Sequence, residues 1–110
     1  MARLINRGDI RWYRFAAPDK RRPVLILTRD SAIDYLAELT IAPITSTIRD
    51  IPSEVMLTPA DGMPRDCAIN LDHLQTVSKS RIGPILTRLH SVKLAEVRKA
   101  LTFALDFSHE

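Results

Sequence analysis

Residues 19–28 read DKRRPVLILT and carry the strongest structural signal in the chain. Polar and basic residues run directly into Pro23, and a dense group of β-forming apolar residues follows it. Such a run is typical of a strand that is buried on both faces of a sheet. Because Pro23 restricts Arg22 to extended backbone, it also fixes the direction of the Arg22 guanidinium. The stretch therefore predicts a core strand whose first residues, Arg21 and Arg22, form part of an anion site.

Short apolar runs on both sides of this stretch predict further strands. The alternating sequence DIRWYRF precedes it at residues 9–15, and LTIAPITS follows it at residues 39–46. Pro43 interrupts the second run, which indicates a sheet edge or a bulge at that point. Four later runs have similar lengths and turn residues between them: SEVMLTP at 53–59, CAINL at 67–71, LQTVS at 74–78 and GPILTRL at 83–89.

The C-terminal sequence SVKLAEVRKALTFALDF, residues 91–107, changes to a helical period. Its apolar stripe is expected to include Leu94, Val97, Leu101 and Leu105, with Ser91 as the N-cap. Six or seven short strands and one closing helix predict a mainly β fold, a small, strongly bent sheet or half-open barrel. With no linker or internal repeat, we expect residues 1–110 to form a single domain.

Charge is distributed unevenly along the 110 residues, although the net charge is only +3. Residues 1–29 contain eight basic and two acidic residues, a net charge of +6, whereas residues 30–110 carry a net charge of −3. A basic N-terminal third on a nearly neutral body predicts a face that binds a polyanion. The alternative for any one of these arginines is a solvated surface position.

The cellular location is expected to be the cytoplasm. The single cysteine, Cys67, cannot form an internal disulfide, and we expect it to be a small buried hydrophobe. The first residues lack the apolar core of a signal peptide, and the longest apolar run, VLIL, is far too short to span a membrane.

Residues that could carry chemistry fall into two short segments. The histidines His73, His90 and His109 are scattered, and neither a CxxC nor an HExxH motif is present, so no metal site and no cofactor are expected. The segment APITST places three hydroxyls in a row at residues 45–47, each able to donate to a phosphate oxygen. Together with Arg22 they would form a chemically sensible cradle for a phosphodiester. Either motif alone also has a purely structural explanation.

Five segments in order resemble the MazF/PemK toxin family: RGDIRWYRF, RRPVLILTRD, APITSTIRDIPSEVML, LDHLQTVSKSRI and LAEVRKALTFAL. The resemblance covers about residues 7–107. It implies an SH3-like small β-barrel of the MazF/PemK/CcdB type with a C-terminal helix, usually a homodimer. It also implies the toxin component of a type II toxin–antitoxin system, whose partner is a cognate antitoxin that binds through its disordered C-terminal segment. The implied activity is metal-independent, sequence-specific cleavage of single-stranded RNA, leaving 2′,3′-cyclic phosphate (or 3′-phosphate) and 5′-hydroxyl ends.

Carried over by position, the family's catalytic arginine and threonine fall on Arg22 and Thr45. The RNA-binding residues that we expect around them are Lys20, Arg21, Ser46, Thr47, Arg49 and His73. His73 is also a minor candidate for the general base. The loop AAPDKR at residues 16–21 is shorter than the insert common in the family, so the resemblance does not extend to the cleavage sequence.

Two other functions remain open on the same fold. One is a toxin that poisons DNA gyrase, which the resemblance associates with a tryptophan at the end of the C-terminal helix. This chain's only tryptophan is Trp12, which disfavours that function. The other is a non-catalytic barrel that binds RNA or a protein partner, and the joint presence of Arg22 and Thr45 argues against it.

Overall fold

The computed structural model describes residues 4–16 and 20–106. The described residues form seven strands and two helices, which confirms the mainly β class with a C-terminal helix. The elements are β1 (Asp9–Arg14), β2 (Arg21–Ile26), α1 (Asp30–Ile33), β3 (Glu38–Thr45), β4 (Glu54–Leu57), β5 (Cys67–Asn70), β6 (Gln75–Ser78), β7 (Ile82–Arg88) and α2 (Ser91–Leu105). Within these ranges, no helix has the length and apolar character needed to cross a membrane.

The strands pair antiparallel in the order β4-β5-β3-β2-β1-β7, and β6 pairs separately with β3. Strands β4 and β7 lie at opposite ends of this order, so hydrogen bonds between the described strands do not close the sheet. The arrangement is consistent with a half-open, barrel-like fold.

Strand β3 is the central strand of the sheet, and the prediction of a sheet edge at Pro43 is wrong. On one side Pro43 pairs with Val24 of β2. On the other side, β3 pairs with β6 through residues 38–41 and with β5 through residues 44 and 45. Pro43 thus falls where β3 changes partners, a position at which the missing backbone N–H breaks no ladder on that side.

The two faces of β2 are buried against different groups of apolar residues, as its sequence predicts. Val24 and Ile26 pack with Tyr13 and Ile41 on one face. Leu25 faces the other way, toward the larger cluster that α2 covers. Because successive side chains of a strand point to opposite faces, the run VLI fills both halves of the core.

Helix α2 covers the larger cluster through Val97 and Ala100, both nearly fully buried. Leu94, Leu101 and Ala104 are partly buried beside them, whereas Leu105 lies at the helix end and is 46% exposed. The predicted N-cap is wrong by one residue: His90 has the extended backbone of a cap, with no side-chain capping bond, and Ser91 is already helical.

A buried carboxylate connects the first and last strands of the sheet. Asp9, at the start of β1, has no exposed surface. One of its oxygens accepts a 2.7 Å hydrogen bond from Nε of Arg88 in β7, and the other accepts a 3.0 Å bond from the backbone N–H of Asn6. The Arg11 guanidinium lies 3.5 Å away. This set of contacts ties β1 to β7 and to the segment that precedes β1.

Candidate nucleic-acid interface

A pocket of about 290 Å³ opens at the edge of the sheet where β2 begins and β3 ends. Three regions of the chain meet there: the first two strands, the end of β3, and the segment before β5. The described residues that line it are Trp12, Lys20, Arg21, Arg22, Pro23, Ile44, Thr45, Ser46, Met63, Pro64, Arg65 and Cys67. The two segments that the sequence analysis singled out, RRP and ITS, therefore border the same cavity.

Arg22 and Thr45 both border this pocket, at the neighbouring ends of β2 and β3. The pairing between the two strands runs from Ile26 and Ile41 to Val24 and Pro43, so Arg22 and Thr45 each lie two residues beyond its last pair. Because both residues line one cavity, the guanidinium and the hydroxyl can contact one bound group.

The hydroxyl of Thr45 has a fixed acceptor role that leaves its proton available. Its Oγ1 accepts a 3.0 Å hydrogen bond from the backbone N–H of Thr47. A hydroxyl has one proton and two acceptor lone pairs, so this bond orients the oxygen without using the proton. Thr45 is half-buried at the end of a central strand, which suits it to donate to an anionic oxygen.

The pocket is strongly cationic. Lys20, Arg21, Arg22 and Arg65 line it, and its described lining includes no aspartate, glutamate or histidine. All four basic side chains belong to exposed residues. A concave site with charges of one sign raises the local concentration of a counter-ion and attracts polyanions.

The wall formed by Met63, Pro64 and Arg65 is positioned by a turn that is hydrogen-bonded within itself. The Thr58 hydroxyl accepts a 3.2 Å bond from the backbone N–H of Ala60, and the Asp61 carboxylate accepts a 2.9 Å bond from the backbone N–H of Thr58. Together these bonds form a capping box around a short 3-10 turn, Pro59–Asp61. This turn fixes the entry of the wall segment.

Gly62 completes this turn in a conformation that favours glycine. Its φ is 94°, in the left-handed region, and an added Cβ would lie 2.3 Å from Oγ1 of Thr87. The Thr87 hydroxyl in turn donates a 3.2 Å bond to the carbonyl of Asp61. Strand β7 thereby holds the turn in place through Thr87. The next residue after the turn, Met63, is nearly fully buried.

Trp12 and Arg21 form an aromatic–cation pair at the pocket. The central guanidinium carbon of Arg21 lies 4.4 Å from the centroid of the Trp12 ring. The register explains the contact: Trp12 pairs with Pro23 and Arg14 with Arg21, so Trp12 and Arg21 are diagonal neighbours on one face. This face is opposite to that of Arg22, and the pocket receives side chains from both faces because it lies at the strand ends.

Cys67 closes the inner end of the pocket and is nearly fully buried, as predicted. Burial raises the pKa of its thiol, and the nearby carboxylates of Asp66 and Asp61 raise it further. A raised pKa keeps the thiol protonated at neutral pH, so Cys67 is a poor nucleophile here.

Three of the predicted RNA-binding residues lie outside this lining. Thr47 and Arg49 follow the end of β3, and the backbone N–H of Arg49 donates a 3.0 Å bond to Glu54. His73 lies in the turn after β5, where its Nδ1 is 3.2 Å from Nδ2 of Asn70. Lys20, Arg21 and Ser46 do border the pocket. The AAPDKR loop includes residues 17–19, which lie outside the described residues.

Sequence reasoning missed four lining residues: Trp12, Met63, Pro64 and Arg65. Trp12 was read only as one position in an alternating strand. The other three lie between two predicted strands, SEVMLTP and CAINL, in a segment to which the sequence analysis assigns no role. The one feature of the sequence that could have indicated them is the dipeptide Pro64–Arg65, which has the same residue types as Arg22–Pro23 in the opposite order.

The fold agrees with what comparison with known proteins finds. Residues 6–105 match the family described as PemK-like, MazF-like toxin of type II toxin–antitoxin system. The chain belongs to this family. A relative from Mycobacterium tuberculosis, named probable endoribonuclease MazF5, is 40% identical over 109 residues, which cover 98% of this chain and 99% of the relative.

Solved structures of the same family superpose on this chain. The Mycobacterium tuberculosis toxin MazF-mt6 matches with a TM-score of 0.82 and 30% identity, covering 89% of this chain and 96% of that toxin. A crystal structure of MazE–MazF from Deinococcus radiodurans gives a TM-score of 0.80 at 25% identity, covering 97% of this chain and 100% of the matched one. The predicted resemblance is thus confirmed.

Proposed function

We propose that this protein is the toxin of a type II toxin–antitoxin pair and acts as a sequence-specific endoribonuclease on single-stranded RNA. One observation carries the proposal: Arg22 and Thr45, from neighbouring strands, border one cationic pocket in a chain of the MazF family. The relatives named endoribonucleases support the activity. A pocket lined with basic side chains and hydroxyls suits a phosphodiester better than a neutral ligand.

The proposed reaction is an attack within the RNA strand. The ribose 2′-oxygen forms a bond to the adjacent phosphorus as its proton passes to solvent water, and the bond from phosphorus to the 5′-oxygen breaks. The leaving 5′-oxygen takes up a proton, so the ends are a 2′,3′-cyclic phosphate, which water can open to a 3′-phosphate, and a 5′-hydroxyl.

Arg22 and Thr45 act on the phosphate in this reaction. The Arg22 guanidinium contacts the non-bridging oxygens, whose negative charge increases in the transition state, and it stabilises that charge. Thr45 donates its hydroxyl proton to a phosphate oxygen, while the bond from Thr47 N–H holds the hydroxyl in place. Because arginine does not readily lose its proton, Arg22 is assigned no role as a base.

The remaining predicted residues bind the RNA on either side of this phosphate. Lys20, Arg21 and Ser46 border the pocket and bind the neighbouring nucleotides. Thr47, Arg49 and His73 lie beyond the lining, and we assign them to more distant nucleotides. His73 is not assigned as the base, because it is not among the lining residues.

Metal independence is part of the proposal and rests on the donor set. Divalent metals in nucleases are held by carboxylates and histidines, whereas the described lining of this pocket offers guanidinium, ammonium and hydroxyl groups. Charge neutralisation that a metal would supply elsewhere falls here to Arg22 and its basic neighbours.

The partner expected to neutralise the toxin is a cognate antitoxin, bound through a disordered C-terminal segment. The MazE–MazF complex from Deinococcus radiodurans supports this part of the proposal, because that neighbour is a toxin of the same fold in an antitoxin complex. We further propose that the protein works as a homodimer in the cytoplasm.

The test is cleavage of a mixed-sequence single-stranded RNA by the purified protein in excess EDTA. We expect defined fragments whose 5′ ends accept a radioactive phosphate directly from polynucleotide kinase, without a prior phosphatase step. A preparation of Arg22→Ala made in parallel controls for contaminating ribonucleases. Activity that disappears with EDTA and returns with Mg²⁺ would overturn the metal-free mechanism. Absence of cleavage under all conditions would favour a non-catalytic binding toxin.

A further inference from the structure

The Trp12–Arg21 pair lines the pocket, and the proposed cleavage reaction gives this pair no role. Trp12 is half-buried in β1 and borders the pocket, and the Arg21 guanidinium lies over its ring at 4.4 Å from the centroid. This distance is within the range of a cation–π interaction. Both residues lie on the face of the sheet opposite to that of Arg22.

The other lining residues on this side are apolar. Pro23 and Ile44 lie next to Trp12 and Arg21 along the strand ends, and Met63, Pro64 and Cys67 complete the wall. The pocket volume of about 290 Å³ is at the low end of sites for small molecules. An apolar slot of this size beside a ring of basic groups fits one flat nucleobase whose phosphate is held at the rim.

Strand β1 carries a second aromatic residue, Tyr13, that lies close to an arginine, Arg81. This second pair shows that an aromatic ring near an arginine does not by itself form a binding site for a base. The Arg81 guanidinium carbon lies 5.6 Å from the centroid of the Tyr13 ring. Tyr13 is only 7% exposed and packs in the smaller apolar cluster, outside the described pocket lining. The two pairs are built alike, but only the Trp12 pair faces an open cavity.

We propose that the Trp12–Arg21 pair is the stacking subsite for one nucleobase of the RNA, next to the phosphate held by Arg22 and Thr45. Sequence-reading proteins stack unpaired bases on aromatic rings and on guanidinium planes. Here the guanidinium lies over the ring, so the base stacks on the pair and not on a bare Trp12 ring. The inference rests on the proposed RNA-cleaving function and extends it. It divides the pocket into a face for the reacting phosphate and a face for a base.

Trp12 is the only tryptophan of the chain, so its fluorescence reports directly on this subsite. We would titrate the protein, at low salt, with 2′-O-methyl hexauridylate and hexaadenylate, which lack the attacking hydroxyl. A hexamer of abasic deoxyribose phosphates serves as the charge-matched probe. Binding of each probe is measured separately, by the anisotropy of a fluorescein label on it. We expect at least one base-containing hexamer to quench Trp12, and the abasic hexamer to bind without quenching.

Each outcome decides the matter. Hexamers that bind but leave the emission of Trp12 unchanged overturn the stacking subsite and leave the RNA-binding proposal intact. Equal quenching by the abasic hexamer also overturns it, because the backbone alone would then account for the change. If no hexamer binds, both the subsite and the proposed function fail.

Variants give a second readout in the same assay. Base stacking on an aromatic residue is lost on truncation, so Trp12→Ala should bind the quenching hexamer roughly 5- to 150-fold more weakly. Its affinity for the abasic hexamer should be unchanged, and Trp12→Phe should keep most of the preference for bases. Arg81→Ala is the matched control, since it removes an exposed arginine that lies over the buried Tyr13 ring and should leave quenching unchanged. If Trp12→Ala does not fold, the abasic comparison on the unaltered protein decides.

Discussion

Arg22 is the residue on which the proposed chemistry depends most. It is the second residue of β2, its backbone direction is set by Pro23, and it lines the same pocket as Thr45. A guanidinium can hold two oxygens of one phosphate in a fixed geometry, which a lysine ammonium cannot do. The distinction between these two cations therefore separates a catalytic role from a general electrostatic one.

We predict that Arg22→Ala lowers the single-turnover cleavage rate by roughly 10²–10³, the usual effect of losing one donor that stabilises transition-state charge. Arg22→Lys should recover little of this rate. The measurement is cleavage of a labelled RNA at saturating enzyme, with thermal melts to verify that each variant is folded. A folded Arg22→Ala protein that cuts at the rate of the unaltered protein would remove the centre of the proposal.

Two neighbouring substitutions serve as controls for this experiment. Arg21→Ala should weaken RNA binding and reduce the salt dependence of binding more than it slows the chemical step, because Arg21 contacts the nucleotides beside the reacting phosphate. Thr45→Val keeps the branched shape and removes only the hydroxyl that accepts from Thr47 N–H and faces the pocket. Thr45→Val should slow single-turnover cleavage more than Arg21→Ala does but less than Arg22→Ala does. Its melting temperature should change little.

At the scale of elements, most strands could be predicted from the sequence, because apolar alternation and short apolar runs depend only on neighbouring residues. The VLI run of β2 is buried on both faces as the pattern predicts. The position of β3 could not be read in the same way. Pro43 is compatible with an edge, a bulge or a change of partner, and only the pairing of β5 and β6 with β3 decides among them.

The candidate site shows the same limit. Arg22 and Thr45 could be proposed from short motifs because β2 and β3 are close in sequence and pair directly. Trp12 and Arg65 join them only through cross-strand register and through the fold of the segment before β5. No local pattern encodes those contacts, since they depend on which strand lies next to which.

The Asp9–Arg88 contact gives a prediction about how the elements are held together. Asp9 is fully buried, so Asp9→Ala removes a charge that Arg88 and the Asn6 N–H both contact. The Arg88 side chain is 58% exposed and stays hydrated without its partner, so the loss is that of charge-assisted hydrogen bonds, and the free energy of unfolding should fall by about 2 kcal/mol. Urea denaturation followed by circular dichroism would measure this loss.

A double-mutant cycle with Arg88→Ala separates the ion pair from the other contacts of Asp9. If the two substitutions add without interaction, the contact does not stabilise the sheet. If they interact, the remaining loss in Asp9→Ala belongs to Asn6 and Arg11, whose N–H groups face the same carboxylate.

At the scale of the whole molecule, the uneven charge predicted a polyanion-binding face, and the structure divides those arginines by role. Arg21 and Arg22 border the pocket together with Lys20. Arg11 instead donates to the carbonyls of Gly83 and Leu4, and Arg7 donates to the carbonyl of Leu27. Net charge along the sequence therefore indicated a cationic surface, but it could not identify which of the basic residues form that surface.

We predict that the protein is a homodimer at micromolar concentration. Strands β4 and β7 end the described sheet order, and large apolar residues are exposed on α2, among them Val92 and Phe103. Unpaired strands and exposed apolar side chains are commonly covered by a symmetric partner. Sedimentation equilibrium should give twice the 12.4 kDa mass of the chain. A single 12.4 kDa species across that concentration range would contradict the prediction.

The self-contained turn at residues 58–62 has a consequence for how such toxins diversify. Its capping box is satisfied by its own backbone and by Thr58 and Asp61, so the exposed residues Pro64 and Arg65 that follow it can change identity without disturbing β3, whereas Met63 is nearly fully buried in the core. The groups proposed for bond breaking sit on strand ends, whereas Pro64 and Arg65 follow a turn that β7 holds through Thr87. Target choice can then evolve separately from catalysis, and a graft of residues 64 and 65 between relatives should transfer the preferred cleavage sequence while leaving the type of RNA ends unchanged.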